Sequence, residues 1–188
     1  ADPDALETAA TDITGRMPSI GGLVHAAGTV RPTGLAGLSI AEWDSGIAVH
    51  LRAFAFMAKA LTAALGRQPG SAIDGAASIN ASLGNGLVPT YSAAKGGMIA
   101  LVRSMADELA GHGIRVNAVS PGYIETPMLG ASLAVAPPGH FERRPLLGRL
   151  GRAEEVARVI RFLLSSEASY VTAAEIVVDG GTISSQRQ

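Results

Sequence analysis

Residues 91–122 read YSAAKGGMIALVRSMADELAGHGIRVNAVSPG. Met98, Leu101, Val102, Met105 and Leu109 recur at three and four residues, so one apolar stripe runs along a helix that ends before Gly111. Ile114-Arg115-Val116-Asn117-Ala118-Val119 follows as a short run rich in β-branched and small residues, the pattern of a buried strand. Helix, glycine turn and buried strand in this order form half of a crossover unit, in which parallel strands are joined across a helix.

The same alternation extends in both directions. Gly22-Leu23-Val24, Ser71-Ala72-Ile73 and Glu175-Ile176-Val177-Val178 read as further buried strands. Asp2 followed by Pro3 is a helix start, with the cap residue and then proline at the first helical position. Ser39-Ile40-Ala41-Glu42 is a capping box that opens a helix running to about Gly66. A last helix spans about Ala153 to Leu164, with Glu154 and Glu155 placed in its first turn, where they favour the helix dipole. Strands alternating with helices predict an α/β fold, a doubly wound parallel sheet covered on both faces, and one domain over residues 1–188. Pro127 to Gly151, with Pro137-Pro138-Gly139 at its centre, is the one long irregular stretch, and such stretches are often binding loops.

Composition narrows the function classes. The chain has 188 residues, 47% apolar and 16% charged, as a globular protein with a sizeable core requires. A net charge of −1 and the lack of any lysine-rich run argue against nucleic acid as a partner. There is no cysteine, and His25, His50, His112 and His140 are scattered, so neither thiolate chemistry nor a metal site is expected. No apolar run approaches membrane-spanning length and the first residues do not resemble a signal peptide, which points to a cytoplasmic protein without a membrane partner. Only Lys59 and Lys95 are lysines, against 13 arginines.

Lys95 stands four residues after Tyr91, on the same helix face. An ammonium beside a phenol favours the phenolate, which predicts a Tyr91 pKa below the usual value of about 10 and a tyrosine able to donate and accept a proton. A solvated surface pair is the alternative reading of these two residues. Position separates the two readings, because ligands of open parallel sheets bind outside the carboxyl ends of the strands. Ser78 lies just past one strand, His25-Ala26-Ala27-Gly28 ends another, and Pro121-Gly122-Tyr123-Ile124-Glu125-Thr126 follows a third. All are expected along one crevice.

Ser78, Tyr91 thirteen residues later, Lys95, the segment Arg115 to Gly122, the segment Leu147 to Val156 and the closing Val178-Asp179-Gly180-Gly181 stand in an order that resembles the short-chain dehydrogenase/reductase family along essentially the whole chain. The resemblance implies a Rossmann-like sheet and an NAD- or NADP-dependent oxidoreductase that moves a hydride between the nicotinamide and a secondary alcohol or ketone. It implies that Tyr91 is the acid/base, that Ser78 holds the substrate oxygen, and that Lys95 lowers the tyrosine pKa and bonds the cofactor ribose. It further implies that Ala27 and Gly28 let the cofactor approach the backbone, and that Pro121, Gly122, Ile124 and Thr126 position the nicotinamide. Family members pair as homodimers or homotetramers through the helices that here span about Ala41–Gly66 and Tyr91–Leu109.

Three departures stand out. His25 and Ala26 occupy a turn that usually carries two asparagines. His50 matches the asparagine that completes the family's catalytic tetrad; it reads either as a member of a proton relay or as a mid-helix histidine bonded to a backbone carbonyl. Finally, no Gly-x-x-x-Gly-x-Gly turn precedes His25, so the first β-α-β portion and its phosphate grip are missing from this sequence. Without its usual neighbour, the Gly22–Val24 strand is expected to expose an apolar edge. A start at Ala1 and an entry midway through the fold suggest a shortened chain or an N-terminal part outside this sequence; another chain completing the sheet is the third option. A non-catalytic protein that keeps the fold for assembly or binding is the rival to the enzyme. In the Pro127–Gly151 loop, Met128, Leu129, Leu133, Val135 and Phe141 suggest an apolar substrate lining, with His140, Arg143 and Arg144 available to an acidic group.

Overall fold

The structure, a computed structural model, describes residues 2–134 and 136–184, without the side chains of Ala131 and Leu133. Helix α1 (Pro3–Arg16) starts where Asp2 accepts the Asp4 N–H at 3.0 Å. Strand β1 (Gly22–His25) follows, then α2 (Ile40–Ile47), a π-helical turn (Ala48–Arg52) and α3 (Ala53–Gly66). Next come β2 (Ala72–Ala76), α4 (Asn80–Leu83), α5 (Pro89–Ala110), β3 (Arg115–Pro121) and β4 (Ile124–Glu125). The chain continues through α6 (Pro127–Leu133), β5 (Gly151–Arg152), α7 (Ala153–Leu164) and β6 (Glu175–Val178).

The main sheet is parallel throughout, in the order β1-β2-β3-β6, and β4 and β5 form a separate two-stranded pair. One face carries Ile73, Val116 and Ala118 against Phe54, Leu61 and Leu65 of α3 and Met98 and Val102 of α5, with Ala10 of α1 behind them. The other face carries Val119 and Ile176 against Val156 and Leu163 of α7. Burial of these two apolar sets on opposite faces is what holds the three layers. The expected apolar edge is present. Among the described residues β1 pairs only with β2, and Val24 is 39% exposed.

Several expectations need correction. The Ser39–Gly66 helix is one continuous rod only in outline, because the π turn at Ala48–Arg52 inserts an extra residue just where His50 stands. Strand β2 runs past Ile73 through Asp74, Gly75 and Ala76. Tertiary pairing on both sides overrides the poor strand propensity of those residues. The stretch after Thr126 opens with α6, since Pro127 sits at the first helical position, and only the remainder is irregular. Taken through the π turn, Ile40–Gly66 is long and apolar enough to cross a membrane, with mean hydropathy 1.3 over 18 residues, contrary to the expectation that no segment is. Its apolar content is accounted for in part by Phe54, Ala58, Leu61, Ala64 and Leu65, which fill the core beneath it.

Candidate active site

Three parallel strands end side by side, and each delivers part of the site. The backbone bonds Ala77 N–H to Val119 O (2.7 Å) and Ile79 N–H to Pro121 O (3.1 Å) clamp the segment after β2 onto the end of β3. Ser78 lies between them, 8% exposed, its hydroxyl accepting the Asn80 N–H at 3.2 Å. Tyr91 and Lys95 sit in the first two turns of α5, which Pro89 starts. The Lys95 ammonium lies 5.4 Å from the Tyr91 ring centroid and donates to the Ala76 carbonyl. Tyr91 also meets the His50 ring edge-on, with centroids 5.3 Å apart at 86°. The structure therefore brings Ser78, Tyr91, Lys95 and His50 together.

Burial sets the proton affinities. It raises the Tyr91 phenol above its ordinary value, opposed by a hydrogen bond with Ser78. The expected lowering of this phenol by Lys95 is not seen. The amine is itself buried, which brings its pKa down to about 8, and it spends its hydrogen bond on Ala76. Among the described groups, Ser78 is the one that favours the phenolate.

His50 is 1% exposed, and its Nε2 lies 2.9 Å from the Thr29 carbonyl oxygen. Donation to that carbonyl is the backbone-bonded reading of the residue; it fixes the Nε2–H tautomer and leaves buried Nδ1 without a partner among the described residues. Burial, and then the Lys95 charge, hold its pKa down to about 4, so the ring is neutral near pH 7. Beside it, Thr29, Arg31, Ser45, Gly46 and Thr90 line a polar cleft of about 30 Å³, room for roughly one water. His25 stacks on Phe54 with centroids 5.1 Å apart, and burial lowers its pKa as well.

The backbone-approach positions are tight. A Cβ on Gly28 would lie 2.7 Å from His50 Cε1, and one on Gly122 would lie 2.6 Å from Asp179 Cβ, so neither site has room for a side chain. Ala27 and Gly28 follow β1, and Pro121 ends β3. Ile124 pairs with Gly151, and Thr126 leads into α6 with its hydroxyl toward the Ile124 carbonyl at 3.4 Å. The buried amine and the two hydroxyl groups fit the nicotinamide-ribose end of a dinucleotide, while Gly28 and Gly122 are packed against the chain's own His50 and Asp179. For the pyrophosphate end the sequence offers no glycine-rich turn ahead of His25.

In the long loop, Phe141 packs against Tyr123 with centroids 5.3 Å apart and His140 meets Phe141 edge-on at 4.9 Å. Arg143 folds back onto the carbonyls of Gly139 (3.0 Å) and Pro138 (3.1 Å). Its donors thus serve its own loop. Arg144 and Met128 are exposed and Leu129 is half-buried. Val135 lies outside the described residues, as does the Leu133 side chain.

Sequence reading missed three residues that shape this region. Asp74 is fully buried in β2, where an acidic residue looks like a strand end. Asn117 clips β3 to the loop before β6 through Val171 O (2.9 Å) and Ala174 N–H (3.1 Å). Asp179 gathers the N–H groups of Gly181 and Ile183, both at 2.8 Å, into the turn that faces Gly122. The Val178–Gly181 motif was the available signal for the last of these.

Known proteins are similar to this chain in sequence and fold. The family model described as enoyl-(acyl carrier protein) reductase matches residues 1–182. A 3-oxoacyl-[acyl-carrier-protein] reductase of Thermotoga maritima is 37% identical over 97% of this chain, which spans 74% of that protein. The cis-4-hydroxycyclohexanecarboxylate dehydrogenase of Sinomonas cyclohexanicum is 37% identical over 96% of this chain and 72% of its own length. The ligand-free structure of Thermoplasma acidophilum aldohexose dehydrogenase superimposes with a TM-score of 0.93 at 28% identity, over all of this chain and 77% of that one. By its parallel sheet, by the family model and by these relatives, the chain belongs to the short-chain dehydrogenase/reductase family of NAD- or NADP-dependent oxidoreductases.

Proposed function

We propose that this chain forms one catalytic domain for oxidation of a secondary alcohol or reduction of a ketone, with Tyr91 as its acid/base. The observation that carries the reading is the meeting of Ser78, Tyr91 and Lys95 at the carboxyl ends of β2 and β3, where Ser78 is the group that favours the phenolate. Ser78 holds the substrate oxygen against the phenol. Tyr91 then donates a proton to a ketone oxygen or takes one from an alcohol. Lys95, an ammonium near pH 7 even with its pKa lowered to about 8, would bond ribose hydroxyls, and Ala27, Gly28, Pro121, Gly122, Ile124 and Thr126 would border the nicotinamide. When bound, NAD or NADP takes up or supplies the hydride. His50 holds the Ala27–Thr29 turn through Thr29 and offers Nδ1 to a water in the adjoining cleft, a path for the proton toward solvent.

The relatives' names cover a 3-oxoacyl group, a ring alcohol and a hexose. They share an oxygen-bearing carbon that changes oxidation state, which supports the alcohol or ketone substrate class. The exposed Ile40, Trp43 and Phe56 on the Ile40–Gly66 helix support pairing of copies along that face. A cytoplasmic location belongs to the same reading.

Titration of the protein with NADH and with NADPH, followed by nicotinamide fluorescence, tests it. Saturable binding, weakened in Lys95→Met, is the expected result. No binding of either cofactor would return the chain to the class of proteins that keep the fold without the chemistry.

A further inference from the structure

Asp74 is 0% exposed at the middle of β2, and among the described residues neither carboxylate oxygen has a hydrogen-bond partner. A buried carboxylate without a partner is among the costliest groups a core can hold, and the common resolution is to keep it protonated. Among the described residues its surroundings offer no counter-charge. In register beside it, β1 presents Val24 and β3 presents Asn117, whose amide is committed to Val171 and Ala174. Arg115, one step along the same face of β3, is held by the carbonyls of Leu163, Ser165 and Val171. Helix α7 covers this face with apolar side chains, while its Glu154, Arg158 and Arg161 are exposed and Glu155 pairs with Arg149. His25 points to the opposite face, against Phe54.

We propose that Asp74 is a proton-held latch: the β2 layer closes over its neutral carboxyl, and loss of that proton loosens the layer beside the Ser78 segment. Burial raises the acid from about 4 to about 7, so the latch works across the neutral range. In the folded state the carboxyl binds its proton more tightly than in the unfolded chain. Its contribution is therefore fully present below pH 4 and is lost as pH rises toward 7. Among the described residues, β1 is the one strand beside β2 on that side of the sheet, and Val24 on it is 39% exposed. Ser78 lies four residues further along the same chain, held by the Ala77 and Ile79 bonds to β3.

Urea unfolding from pH 4 to 8.5 of the wild type, Asp74→Asn and Asp74→Leu tests the latch. The unfolding constant of the wild type, divided by that of Asp74→Asn, should rise by up to tenfold per pH unit and level off above pH 7. The ratio removes the opposite contribution of His25 and His50, whose lowered pKa values favour the fold as pH rises. Protection of the Ala77 and Ile79 amides from hydrogen exchange should fall over the same range in the wild type alone. The ¹³C resonance of the Asp74 carboxyl, followed in the wild type, should titrate near pH 7, and this readout stands even if neither variant folds. Parallel stability profiles, or a carboxyl that titrates near pH 4, would overturn the proposal by showing an ionised, stabilised Asp74.

Discussion

Gly28→Ala probes the contact that joins the cofactor turn to the catalytic cluster. The new Cβ would lie 2.7 Å from His50 Cε1 and 3.3 Å from Nδ1, whereas carbon atoms pack comfortably at about 3.5–4.0 Å. His50 must therefore move by close to an ångström. The ring is 1% exposed and tied to Thr29 at 2.9 Å, so it has nowhere to go without losing that bond. An orphaned buried nitrogen costs about 1–3 kcal/mol and a displaced rotamer about 1 kcal/mol more. Replacing glycine returns about 0.4–1 kcal/mol through the unfolded chain. The net loss expected is about 1–3 kcal/mol. In a His50→Ala background the obstacle is gone, and the same substitution should be neutral or slightly stabilising. Urea unfolding followed by circular dichroism, with unchanged m-values, would give a coupling of about 1–3 kcal/mol between the two positions. Equal costs in both backgrounds would refute the contact, and with it the assignment of His50 as the post that holds the Ala27–Thr29 turn.

Other outcomes follow from single sites. Lys95→Met should raise stability at pH 7 by on the order of 3 kcal/mol, because the wild type buries an ammonium whose pKa has fallen to about 8. That cost shrinks as pH rises from 8 toward 10.5, so the two stability curves should converge there, while nicotinamide binding by the variant weakens at every pH. Asn117→Ala takes the acceptor from the Ala174 N–H, while Val171 O keeps its bond from Arg115, and should cost about 1–3 kcal/mol in denaturant titration. Phe54→Ala empties a fully buried site beneath His25 and Gly75 and should cost about 3–5 kcal/mol.

What the sequence revealed and concealed follows from the range of the interactions involved. The apolar runs at Gly22, Ile114 and Glu175 are local signals, and the structure carries strands at all three. The Met98–Leu109 stripe likewise lies on a helix, α5. The end of β2 was hidden because Asp74-Gly75-Ala76 has no strand propensity, and pairing with β1 and β3 imposes the conformation. The π turn has no sequence signature. It emerges where His50 is drawn to Thr29, a residue 21 positions away. The spacing of Tyr91 and Lys95 gave their proximity correctly and the sign of the tyrosine shift wrongly. Proximity is set by the helix, while the shift depends on how much water the fold removes from both groups.

The most direct test of the proton-transfer assignment is nicotinamide consumption at 340 nm with a panel of ketones, comparing wild type with Tyr91→Phe at saturating cofactor. The phenol is the assigned acid, so turnover by the wild type should fall by about 10²–10⁴-fold in the variant while cofactor affinity is retained. A variant that binds cofactor and turns over as fast as the wild type would contradict the assignment of Tyr91.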